Sequence, residues 1–140
     1  MAEGVFQYLV DQAGLAGQVV IDSGGTGGWH VGEPAHRGTR DVLRRNGVAY
    51  RGRSRQVGRR DLEQFDYVVA MDAQNVNDLR RMDRTGALDG KLHLLLDFAP
   101  DGSPREVPDP YYAGNFDVVY DLVLEGCRGF LDYVRAEHGL

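Results

Sequence analysis

With 140 residues, the chain is long enough for one compact domain and too short for two ordinary ones. Its 42% apolar and 26% charged content fits a globular protein, and a net charge of −5 argues against general nucleic-acid binding. The single cysteine, Cys127, excludes an internal disulfide; no Cys or His spacing suggests a metal, and no stretch approaches the roughly 20 apolar residues that span a bilayer.

Val5, Phe6, Leu9 and Val10 recur at helical spacing, so the chain opens on an amphipathic helix, with Gly17 closing that first unit. No basic segment leads into a long apolar run there, and the expectation is a cytoplasmic protein without a secretory signal. "QVVIDS" (18–23) reads as a short buried strand, followed by the glycine-rich loop "GGTGGWHVGEPA". Residues 36–46 predict a second helix with Gly47 as its stop. "FDYVVAM" (65–71) reads as another strand, and Asp72 then stands where an N-cap is wanted, ahead of Val76, Leu79 and Met82. "KLHLLLDF" (91–98) reads as a third strand. A loop rich in Pro, Gly and Asp leads to a long last helix bearing Val118, Val119, Leu122, Val123, Cys127, Phe130, Leu131 and Val134. Strands alternating with helices imply one α/β domain over residues 1–140, a three-layer sandwich around a small parallel sheet. Three strands make that sheet thin.

The sharpest chemical signal is "VPDPYY". Prolines on both sides of Asp109 hold its carboxylate in a stiff loop, and Tyr111 and Tyr112 offer apolar walls with polar tips. A carboxyl held beside aromatic surface suits a general acid; the alternative is a solvated turn aspartate with two packing tyrosines. "DSGGTGGWH" (22–30) either cradles phosphate with backbone N–H groups or is a surface connection. Trp29 has little core to join from such a loop and suits a pocket cap. "RGRSRQVGRR" (51–60) reads as a solvated face, with attraction of an anionic substrate as the alternative. His93 lies in a strand pattern and reads as structural. Cys127 lies on the apolar stripe of the last helix, where a thiol stays inert.

Together these pieces resemble the low-molecular-weight protein-tyrosine phosphatase family. "MAEGVF" resembles the start of its first helix, "DSGGTGGWHVGEP" its second strand and aromatic loop, "FDYVVAMDAQN" its third strand and helix start, and "DPYY" the loop carrying its general acid. The match runs in order from Met1 to the last helix. The resemblance implies Asp109 as acid and base, and Trp29, Tyr111 and Tyr112 as walls of a phosphotyrosine pocket. It implies Ser23 as a brace of the phosphate loop. It implies no cofactor and no metal, and a substrate that is a phosphotyrosine protein or a small aryl phosphate. Two departures fall at Gly52, where the family often has a histidine, and at Ala35, where it often has an aspartate.

In that family a central strand and a loop of the form C-x-x-x-x-x-R, followed by Ser-Pro, precede the first helix. Met1 aligns just after that Ser-Pro. The expectation is therefore that the first central strand, between "QVVID" and "FDYVVAM", is missing together with the nucleophilic cysteine and its arginine, ~15–20 residues in all. Cys127 does not replace them, because Tyr133 and not arginine stands six positions on. The chain is then a truncated hydrolase without a nucleophile, inactive as it stands, with a start assigned at an internal methionine as the favoured explanation. The alternatives are a pseudophosphatase that serves as a binding module, and a thioredoxin-linked arsenate reductase. That second chemistry needs further cysteines.

Overall fold

The computed structural model describes residues 1–27, 31–109 and 115–140. Helix α1, Ala2–Gln12, buries Gly4, Val5, Phe6 and Val10 on one face. It ends before Gly17: Ala13 is the C-cap, and Gly14 takes the left-handed turn at φ +73°. Helix α2, Arg37–Arg45, starts at His36, whose Nδ1 accepts from the Gly38 N–H at 3.0 Å. Gly47, at φ +75°, follows its last turn as the sequence predicts. A short helix the sequence reading missed, α3, spans Arg59–Gln64.

Strand β1, Val68–Ala70, leads into α4, Ala73–Met82. The Asp72 carboxylate caps that helix by accepting from the Asn75 N–H at 2.8 Å, the role its position predicts. Strand β2, Leu92–Leu94, runs parallel to β1 with Val68, Val69 and Ala70 opposite Leu92, His93 and Leu94. The last helix, α5, covers Phe116–His138 and closes on Gly139 at φ +65°.

The short strands alternate as a two-sided sheet requires. Val68, Ala70, Leu92 and Leu94 face a smaller core with Leu62 of α3, Leu79 of α4 and Leu88. Val69 faces the larger core, where α1, α2 and α5 bring together Val5, Phe6, Val10, Val42, Leu43, Val123 and Phe130. Helices thus cover both faces of a small parallel sheet, the α/β arrangement the sequence predicts. His93, between Leu92 and Leu94, packs among the rings of Tyr67, Phe98 and Tyr133, which fits a structural role.

Two strand expectations are corrected. "QVVIDS" is not a strand, since it has no ladder partner among the described residues; Gln18 closes a turn on Leu15, Val20 is 84% exposed, and Val19 and Ile21 lean on the larger core. Among the described residues the sheet has two strands, β1 and β2. The "KLHLLLDF" stretch is strand only through Leu94; Leu95–Phe98 winds into a 3-10 helix. The cause lies on α5. Gly126 and Gly129 let that segment approach so closely that a Cβ on Gly129 would overlap the Phe98 carbonyl, and one on Gly126 would lie 2.8 Å from Leu95 Cγ. Helix-wound backbone satisfies itself against α5, and a fourth ladder residue would forgo that packing.

Candidate active site

Segment 51–57 carries neither a helix nor a strand, yet it organises the site. The Gly25 N–H donates to the Arg55 carbonyl and the Val57 N–H to the Gly25 carbonyl, both at 2.9 Å. Further along, the Gly32 N–H donates to the Ser54 carbonyl at 2.6 Å and the Ser54 N–H to the Glu33 carbonyl at 2.7 Å. The arginine-rich stretch is thus a strap that grips both ends of the glycine-rich loop. Its side chains add to the grip: Arg53 Nη1 donates to the Gly32 carbonyl at 3.0 Å, and Arg55 binds Asp22 and Asp61. The expectation of a merely solvated face is corrected for Arg53 and Arg55, whose partners Gly32 and Asp22 lie 21 and 33 residues away, with Asp61 six residues on. Thr26 adds an anchor to α4, its Oγ1 donating to Asp78 at 3.0 Å.

Between this loop, α1 and α2 lies an open cavity of about 250 Å³, lined by Met1, Ser23, Ala35, His36, Thr39, Tyr50, Gly52, Arg53 and Ser54. Ser23, expected to brace a phosphate loop, is on its wall. Its Oγ donates a short hydrogen bond to Glu3 Oε1, and the Tyr50 hydroxyl donates to the same oxygen at 3.1 Å. Burial first, and then the Glu3 charge, raises the Tyr50 phenol above its ordinary value. Sequence reasoning missed Glu3 and Tyr50: a carboxylate in the first turn of a helix reads as a dipole partner, and nothing local ties it to residues 23 and 50. Both departures from the family pattern, Ala35 and Gly52, line this cavity.

Asp109 is exposed at the end of a segment tied to the sheet. Two residues earlier, the Val107 N–H donates to the carbonyl of Met71, immediately after β1, at 2.9 Å. Glu106 accepts from the Ala73 N–H at 2.7 Å, at the first turn of α4. Beyond residues 110–114, Asn115 caps α5 by accepting from the Val118 N–H at 3.2 Å. Phe116 stacks on the cavity-lining His36 with ring centroids 5.2 Å apart. The segment before Asp109 is therefore attached at the carboxyl end of a parallel strand, where open α/β sheets bind ligands, and α5 starts against the cavity wall. Trp29, Tyr111 and Tyr112 lie outside the described residues.

Cys127 is 1% exposed in the α1–α5 interface, and burial pushes its thiol up to about 12. A thiol so placed is neither a nucleophile nor a metal ligand. Among the described residues no group of His, Cys, Asp and Glu could hold a metal ion, and no helix is long and apolar enough to cross a membrane.

The chain is 43% identical to the low molecular weight protein-tyrosine-phosphatase YfkJ of Bacillus subtilis, over 100% of this chain and 90% of that protein. It is 34% identical to the low molecular weight protein-tyrosine-phosphatase PtpA of Staphylococcus epidermidis, over 100% of this chain and 88% of the relative. The crystal structure of YfkJ superposes with a TM-score of 0.91 at 42% identity, covering 97% of this chain and 86% of that one. A protein tyrosine phosphatase from Entamoeba histolytica gives 0.89 at 30% identity, covering 99% and 88%. The model of the family described as low molecular weight phosphotyrosine protein phosphatase matches residues 1–139. By that match, by those identities and by the shared fold, the chain belongs to the low molecular weight phosphotyrosine protein phosphatase family.

Proposed function

We propose that the protein is a cytoplasmic protein-tyrosine phosphatase acting on a phosphotyrosine protein or a small aryl phosphate. The observation that carries the reading is the family match across residues 1–139, in a chain whose Asp109 follows two residues after the backbone tie of Val107 to Met71 at the carboxyl end of β1. In the reaction a cysteine thiolate attacks phosphorus, an S–P bond forms and the P–O bond to the aryl group breaks. Asp109 gives its proton to the departing oxygen. As carboxylate it then takes a proton from water, which attacks phosphorus and releases phosphate and thiolate. Loop N–H groups and an arginine hold the moving negative charge. Trp29, Tyr111 and Tyr112 wall the ring of the substrate, and Ser23 braces the phosphate loop.

Cys127, the sole cysteine of the 140 residues, is buried and does not supply the thiolate of this mechanism. The aligned region covers 90% of YfkJ and 88% of PtpA. The test compares two proteins on p-nitrophenyl phosphate: the 140-residue chain, and the same chain preceded by a strand and Cys-x5-Arg-Ser-Pro loop of the family form. The second is expected to turn over and the first not; Asp109→Asn in the second slows turnover by about 10²–10⁴-fold. Turnover by the 140 residues alone, or indifference to Asp109→Asn, sinks the reading. A stable, cooperatively folding 140-residue chain, with no turnover in either form, favours the binding module, a reading supported by the inert burial of Cys127.

A further inference from the structure

Resting on that phosphatase reading, we infer that Tyr50 is a positioning residue of the site: its hydroxyl, admitted by the absence of a side chain at Gly52, fixes Glu3 and through it Ser23 at the wall where the phosphate loop is held.

Three observations converge on it. Tyr50 Oη and Ser23 Oγ donate to one oxygen, Glu3 Oε1, so neither hydroxyl can shift without disturbing the other's acceptor. The ring of Tyr50 occupies the space a side chain at position 52 would need: a Cβ on Gly52 would overlap the hydroxyl and lie 2.6 Å from Cε1. Glycine is also used where the ring crosses α1, since a Cβ on Gly4 would sit 3.2 Å from Tyr50 Cβ. Two side-chain-free positions therefore frame one phenol and aim it at one carboxylate. The two hydroxyls thus share one acceptor beside the cavity, with Ser23, Tyr50 and Gly52 all lining it. A ring that served only to fill space would need neither the carboxylate nor the hydroxyl.

Two measurements test this. In the 140-residue chain, the ultraviolet titration of the Tyr50 phenol is isolated as the difference between the parent and Tyr50→Phe. Glu3→Gln is expected to move that midpoint down towards the ordinary tyrosine range, because it removes the carboxylate that the phenolate must face. A midpoint unmoved by Glu3→Gln overturns the coupling. In the chain carrying the added strand and loop, Tyr50→Phe is expected to lower kcat on p-nitrophenyl phosphate on the order of tenfold with KM unchanged. That is less than the roughly 10²-fold of a 1 Å misplacement. Tyr50→Phe combined with Ser23→Ala is expected to be no worse than the poorer single variant. Gly52→Ala, which expels the ring, should reproduce the Tyr50→Phe kinetics. Full kcat in Tyr50→Phe, or strictly multiplicative losses in the double variant, overturns the proposal. If the extended parent hydrolyses nothing, the phosphatase reading fails, and the titration alone still decides whether Tyr50 and Glu3 are coupled.

Discussion

Arg55 and Asp61 meet as a two-pronged pair, Nη1 to Oδ2 at 2.9 Å and Nη2 to Oδ1 at 3.0 Å. Asp61 also accepts from the Gly58 N–H at 2.8 Å, so one carboxylate fixes both the strap and the start of α3. The Arg55 hydrogen bonds, opposed by burial and aided by Gly58, hold the Asp61 carboxyl below its ordinary value. A depressed folded pKa stabilises the fold fully above the unfolded value, about 3.8, and the gain is lost as pH falls through the lowered folded value. Arg55→Met is expected to lower stability near neutrality by about 1 kcal/mol, since both partners are partly exposed. It should also flatten the acid limb of a stability–pH curve below about pH 4. Chemical denaturation of the two proteins at several pH values checks both, and parallel acid limbs would contradict the account.

Gly129→Ala puts a methyl group into the Phe98 carbonyl. Because the neighbour is backbone and not a flexible side chain, relief requires α5 or the 3-10 helix to move. The expected loss is about 1–3 kcal/mol, read from the urea midpoint. Gly139→Ala, with nothing within 4 Å but φ at +65°, is the strain-only control and should cost less, about 1 kcal/mol.

Burial should also silence the Cys127 thiol. With its value pushed to about 12 against an ordinary 9.0, the thiolate fraction at pH 8 falls roughly a thousandfold. Iodoacetamide is expected to label the folded chain slowly and the urea-unfolded chain at the rate of a free thiol. Rapid labelling of the native protein would place Cys127 outside the core.

Asp78 gathers three donors: Thr26 Oγ1 at 3.0 Å, Gln74 Nε2 at 2.9 Å and Arg81 Nη2 at 2.9 Å. Asp78→Ala should therefore free the near end of the glycine-rich loop at a modest cost, about 0.5–1.5 kcal/mol. The amides of residues 24–27 are expected to exchange with deuterium faster, and those of α5 at an unchanged rate. Uniform acceleration would mean the contact serves the whole fold and not the loop.

Much of this architecture was legible because its determinants are local. The apolar stripes of α1 and α5, the Asp72 cap and the Gly47 stop each lie within a few residues of the structure they specify. What could not be read depends on partners distant in sequence. Residues 18–23 have strand composition but no ladder partner among the described residues, so they form no strand. Leu95–Phe98 have strand composition too, yet two glycines on α5 draw them into a 3-10 helix. The site divides the same way. "DPYY" and Ser23 were conspicuous as motifs, whereas the Glu3–Tyr50 contact joins residues with no common pattern, and its enabling Gly52 registers in sequence only as a departure.

The two cores have different histories during synthesis. The smaller draws on residues between Val57 and Leu94, all translated well before α5. The larger needs Phe6 against Phe130, their rings 5.0 Å apart, so it cannot close until α5 has emerged from the ribosome. Until then the apolar face of α1, with Val5, Phe6 and Val10, has no α5 to cover it. That interval is when a chaperone would find this nascent polypeptide, and slowing translation ahead of α5 would prolong it.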